Sequence, residues 1–305
     1  MQPRPEMHYD AATAISQGRR EEQEDAISTD FQIGAPIGFA VLSDGMGGHA
    51  AGDVASKIIV TEVFSELKLQ SGAPERFERE IGAILREAAL SANQCLRGHV
   101  NAHPEARGMG ATLVAPVFAG RRLYWISVGD SPLLLYRDGV LQRLNEDHSM
   151  APQIDFMAEA GLIAAEVAHN HPDRGCLTSV LIGDEVTRID CPSEPVMLRG
   201  GDVVIAASDG LQTLSEEAIA AVIARCGADA PAAEIAGSLL AEVERAEDPE
   251  QDNVTIAVVR IRDPEPGAQG ASRAPQGVAA GRRGAGGATV LRPLQFLRRG
   301  GGAQR

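Results

Sequence analysis

Lysine is almost missing from this sequence: Lys57 and Lys68 are the only two, and the other basic residues are arginines. Against 42 acidic residues the chain has 28 basic ones, a formal net charge of −14. Such a balance argues against nucleic acid as the main partner, because a phosphate backbone calls for a basic surface. Cysteine is scarce too. Cys95, Cys176, Cys191 and Cys226 are widely spaced with no C-x-x-C pair, and they read as reduced, mostly buried thiols of a cytoplasmic protein. No apolar run reaches transmembrane length, and the polar opening M-Q-P-R-P-E-M-H holds no signal-peptide core, so no membrane span is expected. What is present is a hydrophobic fraction of 44 %, ample for a globular core, in 305 residues that one α/β domain can absorb.

The stretch from Gly38 to Ser56 organises the rest. The apolar run Phe39 to Leu42 reads as a buried strand that stops at Ser43-Asp44-Gly45, with Gly47 and Gly48 following at once. This holds a carboxylate at a strand end, above a flexible turn whose glycines let the backbone approach a ligand closely or adopt positive φ. The theme recurs. Asp202 to Leu211 is an apolar run ending in Ser208-Asp209-Gly210, Leu123 to Ser131 ends in Asp130, and Asp252-Asn253 stands just before the run Val254 to Ile261. Antiparallel neighbours bring the end of one strand beside the start of the next, so these aspartates are expected on one edge of a sheet. Each alone reads as an ordinary Asp-Gly turn. Together they would repel one another unless cations sat between them, and oxygen-only ligands point to Mg²⁺ or Mn²⁺ rather than zinc.

Other motifs fall in a definite order: R-R-E-E-Q-E-D (Arg19 to Asp25), S-D-G-M-G-G-H, G-M-G-A-T-L (Gly108 to Leu113), V-G-D-S (Val128 to Ser131), E-D-H-S (Glu146 to Ser149), A-S-D-G-L and D-N-V-T. Over residues 8 to 261 this ordered set resembles the metal-dependent Ser/Thr protein phosphatases, the type 2C or PPM family in its bacterial form. The resemblance implies a fold: a sandwich of two mostly antiparallel β-sheets flanked on both sides by α-helices. It also implies roles. Asp44 bridges two metal ions (Mn²⁺ or Mg²⁺), Glu24 and the Gly45 carbonyl serve one, Asp209 and Asp252 serve the other, and Asp130 with Asp209 holds a third, looser ion. A hydroxide bridging two ions ~3.5–4 Å apart attacks phosphorus. Arg20 grips the phosphate, while Asp25 and Asn253 support the ligands. The general acid stays open between His49 and a bound water, since Met46 stands where many eukaryotic members carry a histidine.

Along the chain, helices are expected from Asp53 to Leu69, from Pro74 to Leu96 and from Ala151 to Ala160, with two more after Asp209, one capped by Ser215 and one with Pro231 in its first position. Residues 149 to 185 are the expected mobile flap, where His169, His171 and Arg174 either meet a phosphoprotein or are simply exposed. From Arg262 the chain becomes a Gly/Ala/Pro/Arg tail: eight arginines against Asp263 and Glu265 give it +6, leaving −20 on residues 1–261. Disorder is expected there, with V-L-R-P-L-Q-F-L-R-R either docking or unstructured. The domain expectation is thus a phosphatase domain at 1–261 and a basic tail at 262–305. A phosphoserine/phosphothreonine phosphatase acting on proteins is the leading function, as a cytoplasmic, signalling monomer partnered by a Ser/Thr kinase and its substrates. A catalytically weak adaptor and a phosphatase of small phosphate esters are the alternatives, the adaptor disfavoured because Arg20, Asp44, Asp209 and Asp252 are all present.

Overall fold

A computed structural model describes residues 8–47 and 51–263. Among the described residues eleven strands form two antiparallel sheets. The first comprises β1 (His8–Ser16), β7 (Leu133–Arg137), β8 (Val140–Arg143), β10 (Val203–Ala207) and β11 (Val254–Arg262), in the order β1-β11-β10-β7-β8. The second runs β2 (Asp25–Asp30), β3 (Ile37–Met46), β5 (Leu113–Ala119), β6 (Arg122–Val128) and β9 (Val196–Met197), with the short β4 (Gly110–Ala111) paired to the end of β3. Helices α1 (Ala51–Gln70) and α2 (Pro74–Ala102) cover the outer face of the second sheet. The outer face of the first is covered by α5 (Glu216–Cys226) and α6 (Ala232–Arg245), while α3 (Ala151–Glu159) and α4 (Ala165–His169) belong to the connection between β8 and β9.

Strand alternation builds these layers. On β3, Phe39 and Val41 pack outward against α1 and α2, whereas Ala40 and Leu42 join Val204, Ala206, Ala257 and Val259 between the sheets. The same alternation on β10 sends Val203 and Ile205 out to the hydrophobic face of α5 and α6. One end of the sandwich is closed by Tyr9, Phe31 and Phe118, whose ring centroids lie 5.5–6.0 Å apart. The aspartates sit at the other end.

Several boundaries differ from the sequence reading. β3 does not stop at Ser43; Gly45 and Met46 continue it because β4 offers them Ala111 and Gly110 as partners. α2 runs on through Gly98 to Ala102 and ends just before Pro104, the first residue after Leu96 that cannot continue a helix. Pro231 is the cap residue before α6, not its first helical residue, and its extended backbone excludes it from the helix. Ser215 caps α5 as expected, its Oγ accepting from the Ala218 N–H at 3.2 Å. The thiols are less buried than expected: Cys95 and Cys176 are exposed and only Cys191 is fully buried, because the first two lie on α2 and a surface loop. β11 ends at Arg262, one residue beyond the expected boundary; the tail from 264 onward lies outside the described residues. Among the described residues no helix is long and apolar enough to cross a membrane.

Phe118 is completely buried between the sheets within the aromatic closure. Replacing it with Ala should remove about 3–5 kcal/mol of stability, read as a shift in the denaturant midpoint; a loss below about 1 kcal/mol would contradict its place in the core.

Candidate active site

The inward parity of Ala40 and Leu42 carries Asp44 to the gap between the sheets, and that of Ile27 carries Asp25 there too. The two are register partners across the β2–β3 ladder. Asp130 follows β6 by two residues, Asp209 begins the short helical turn after β10, and Asp252 precedes β11. The acidic group therefore spans the ends of both sheets, not one sheet edge: Asp25, Asp44 and Asp130 come from one, Asp209 and Asp252 from the other. Two sheets packed face to face can surround a point, whereas a single edge can only line it.

The electrostatics reflect this convergence. Burial pushes the Asp44 carboxyl well above the usual carboxylate range, and Asp209, Asp25, Asp130 and Asp252 add to the shift. Asp25, 6 % exposed, is raised to about 7 by burial despite a hydrogen bond from Ser208 Oγ at 2.7 Å. Asp130 is raised to about 7 by burial, Asp209 and Asp147. Asp209 is raised by burial and Asp252, and Glu24 by burial and Glu22, the latter offset by the Gly52 N–H at the start of α1. Among the described residues no three such side chains close around a common point as a finished metal cage. They are buried acids held in mutual repulsion, and Oδ1 of both Asp25 and Asp209 is buried without a hydrogen-bond partner.

Neutral amides and hydroxyls, with two arginines, hold these acids in place. Asn253 Oδ1 accepts from the Glu24 N–H at 2.8 Å, and its Nδ2 donates to the carbonyls of Gln17 and Glu22, which pins the 17–24 segment to β11. Arg20 donates to Asp252 Oδ2 at 2.6 Å from an exposed position. Four contributors escaped sequence reasoning. Ser208 Oγ joins Asp25 to β11 by accepting from the Thr255 N–H. Thr112 Oγ1 accepts from the Asp44 N–H at 3.0 Å and meets Ser131 Oγ at 2.7 Å, tying the Asp44 strand to the Asp130 loop. Arg143 donates to the Asp130 carbonyl at 2.7 Å. Thr112, Ser131 and Ser208 stand inside G-M-G-A-T-L, V-G-D-S and A-S-D-G-L, and that was their only signal; Arg143 had none.

The sequence profile described as Protein phosphatase 2C matches residues 15–242. The chain belongs to the protein phosphatase 2C family. It is 34 % identical over 228 residues to the serine/threonine protein phosphatase PstP of Mycobacterium tuberculosis, covering 73 % of this chain but only 40 % of PstP. It is 30 % identical over 211 residues to the serine/threonine phosphatase stp of Listeria monocytogenes, covering 69 % and 80 % of the two chains. Among solved structures, the catalytic domain of PstP in complex with two manganese ions superposes with a TM-score of 0.67 at 30 % identity, covering 84 % of this chain and all of that domain.

In this phosphatase 2C chain, Arg20, Glu24, Asp25, Asp44, Gly45, Asp130, Asp209, Asp252 and Asn253 all gather at the same end of the sandwich, while His49 lies outside the described residues. Arg174 is engaged with Asp155 of α3 through two bonds at 2.6 and 2.8 Å, which ties the loop after α4 back to α3; His169 is exposed. Carboxyls whose folded pKa is raised stabilise the fold below their unfolded value and lose that contribution as pH rises through the folded one. In EDTA the melting temperature should therefore fall as pH rises from about 4 to about 7, the value of Asp25 and Asp130. The Asp130→Asn variant should show a shallower fall; equal slopes would contradict the repulsion.

Proposed function

We propose that this chain is a Mn²⁺- or Mg²⁺-dependent phosphatase that hydrolyses phosphoserine and phosphothreonine in proteins. The observation that carries the reading is the set of buried, mutually repelling aspartates with an exposed arginine beside them. Buried like charges are unfavourable, and a site that retains four of them, Asp25, Asp44, Asp130 and Asp209, beside the Arg20-paired Asp252 favours a polycationic guest. The donor set fits hard divalent ions: every donor is oxygen, and two buried carboxylate oxygens lack partners.

On this reading Glu24, Asp44, the Gly45 carbonyl, Asp130, Asp209 and Asp252 hold the ions, with Asp25 and Asn253 behind them. When bound, the ions supply an activated water and neutralise charge on the phosphoryl group. The protein's own part is placement. Arg20, 56 % exposed at its side chain, turns its guanidinium from Asp252 to the phosphate oxygens and orients the ester. Asn253 keeps Glu24 at the mouth, and Thr112 keeps the Asp44 backbone fixed against the Asp130 loop. The group that protonates the leaving oxygen is either His49 or a bound water. The four cysteines are unpaired, which suits a reducing, cytoplasmic setting, and a Ser/Thr kinase acting on the same substrates is the partner this activity requires; we expect the enzyme to work as a monomer. We also propose a phosphatase domain over residues 1–261 followed by a basic tail at 262–305; its packing continues at least to Asp263, where Arg262 bonds Asp10 at 2.7 Å and Asp263 pairs with Arg121.

Purified protein should hydrolyse p-nitrophenyl phosphate and phosphothreonine peptides with Mn²⁺ and lose this in EDTA; full activity in EDTA would sink the reading. Asp44→Ala and Asp209→Ala should each lower kcat by about 10²-fold or more, and calorimetry should show weakened Mn²⁺ binding. Arg20→Ala should raise KM for phosphopeptide more than it lowers kcat, because ground-state phosphate binding is lost first. A purely kcat effect would assign Arg20 to the chemical step instead.

A further inference from the structure

Beside the Arg20–Asp252 pair lies a second cavity of about 290 Å³, and we infer that it is a specificity subsite for a lysine or arginine side chain of the phosphoprotein. The inference rests on the phosphatase reading above. The cavity lies where two backbone segments meet: the Arg19 N–H donates to the Gln251 carbonyl at 2.8 Å. The next residue along each segment is Arg20 and Asp252 respectively, joined at 2.6 Å. Cavity and phosphate-gripping pair are thus consecutive rungs of one contact, so a phosphopeptide held by Arg20 has a neighbouring side chain within reach of the cavity.

The lining selects for charge. Buried Val243 of α6 provides an apolar wall for a methylene stem. Glu244, Glu247 and Asp248 line it as well, Asp248 Oδ1 accepting from the Glu250 N–H at 2.9 Å, with Arg19 as the one cation of the lining. None of these three acids is in an ion pair among the described residues, whereas Glu242, one position before Val243, is taken by Arg225 and Arg245. The observation that points to a ligand is Gln251. It is 7 % exposed, its Nε2 donates to the carbonyls of Gly210 and Asp252 at 3.1 and 3.2 Å, and its Oε1 is buried with no donor. A buried acceptor lining an acidic cavity is satisfied by an incoming N–H. A metal ion fits less well, because no three of these carboxylates converge on a common point among the described residues. An ammonium or guanidinium, with several spread donors, fits a spread set of acceptors.

The test compares wild type with Glu244→Lys/Glu247→Lys, both loaded with Mn²⁺, on p-nitrophenyl phosphate and on phosphothreonine peptides. The peptides carry a single arginine at each position from three before to three after the phosphothreonine, or alanine throughout. Wild type should favour at least one arginine placement in kcat/KM by about tenfold at low salt, with the preference shrinking at high salt. The double lysine variant should lose or invert that preference while its p-nitrophenyl phosphate turnover stays within about twofold. Glu244→Gln/Glu247→Gln, which preserves shape, should fall between, and guards against misfolding of the charge-reversed protein. A wild type that turns over p-nitrophenyl phosphate but ignores every arginine placement overturns the subsite, as does a lysine variant that keeps the preference. A wild type inert toward p-nitrophenyl phosphate with Mn²⁺ overturns the phosphatase reading itself, and the subsite with it.

Discussion

Two aspartates facing one another across a β-ladder set the terms for everything around them. Asp25 and Asp44 are register partners on β2 and β3, and both point into the gap between the sheets. Like charges directly opposite on adjacent strands are unfavourable, and burial amplifies the cost. Neither can turn outward, because a one-residue slip of β3 would send Ala40 and Leu42 out and bring Phe39 and Val41 in. The hydrophobic pattern of the strand thus forces its terminal carboxylate inward. The core and the charge cluster are written in the same alternation.

This accounts for the polar lacing at that end of the sandwich. Ser208 and Asn253 continue the inward parity of Ala206 on β10 and of Ala257 on β11, so the strands that build the core also place a hydroxyl and an amide beside the acids. Thr112 and Ser131 do the same between β3 and the Asp130 loop. Each carries a neutral hydrogen-bonding group, so the acids are fixed in position without being neutralised. A lysine in their place would satisfy the charge and remove the reason for a cation to bind. The near absence of lysine from the chain is not needed to explain this, but Arg20 as the one guanidinium that pairs with these carboxylates among the described residues is consistent with it: it stays exposed, at the mouth.

The strand ends were legible because aspartate after an apolar run is visible in one dimension, and four of them with oxygen-only chemistry imply a cation. The outer helices were legible from their periodicity. What could not be read was the third dimension. One sheet edge and the ends of two facing sheets have the same sequence signature, and only the observed strand order β1-β11-β10-β7-β8 assigns Asp209 and Asp252 to the opposite layer. β9 was missed because Val196–Met197 is only two residues long and too short to alternate. Arg143 was invisible for another reason: its role is a bond to the Asp130 backbone carbonyl, and backbone acceptors leave no trace in residue identity.

The glycines show how a correct motif can be read with the wrong cause. Gly45 and Gly210 each follow an aspartate, and glycine there suggests a yielding turn. Their surroundings argue the opposite. A Cβ on Gly45 would stand 2.0 Å from the Gly52 carbonyl at the start of α1, and one on Gly210 would stand 2.1 Å from the Asn253 carbonyl before β11. In both Ser-Asp-Gly segments the glycine is required so that a second backbone can press against the residue after the aspartate. The first contact seats the N-terminus of α1, whose Gly52 N–H meets Glu24; the second seats the segment that carries Asp252. Flexibility would be a liability at such a point, since the acids repel and any slack would let them part. The repeated motif is a clamp: an acid that points inward, and a missing side chain that lets the next acid's backbone come close enough to hold it there.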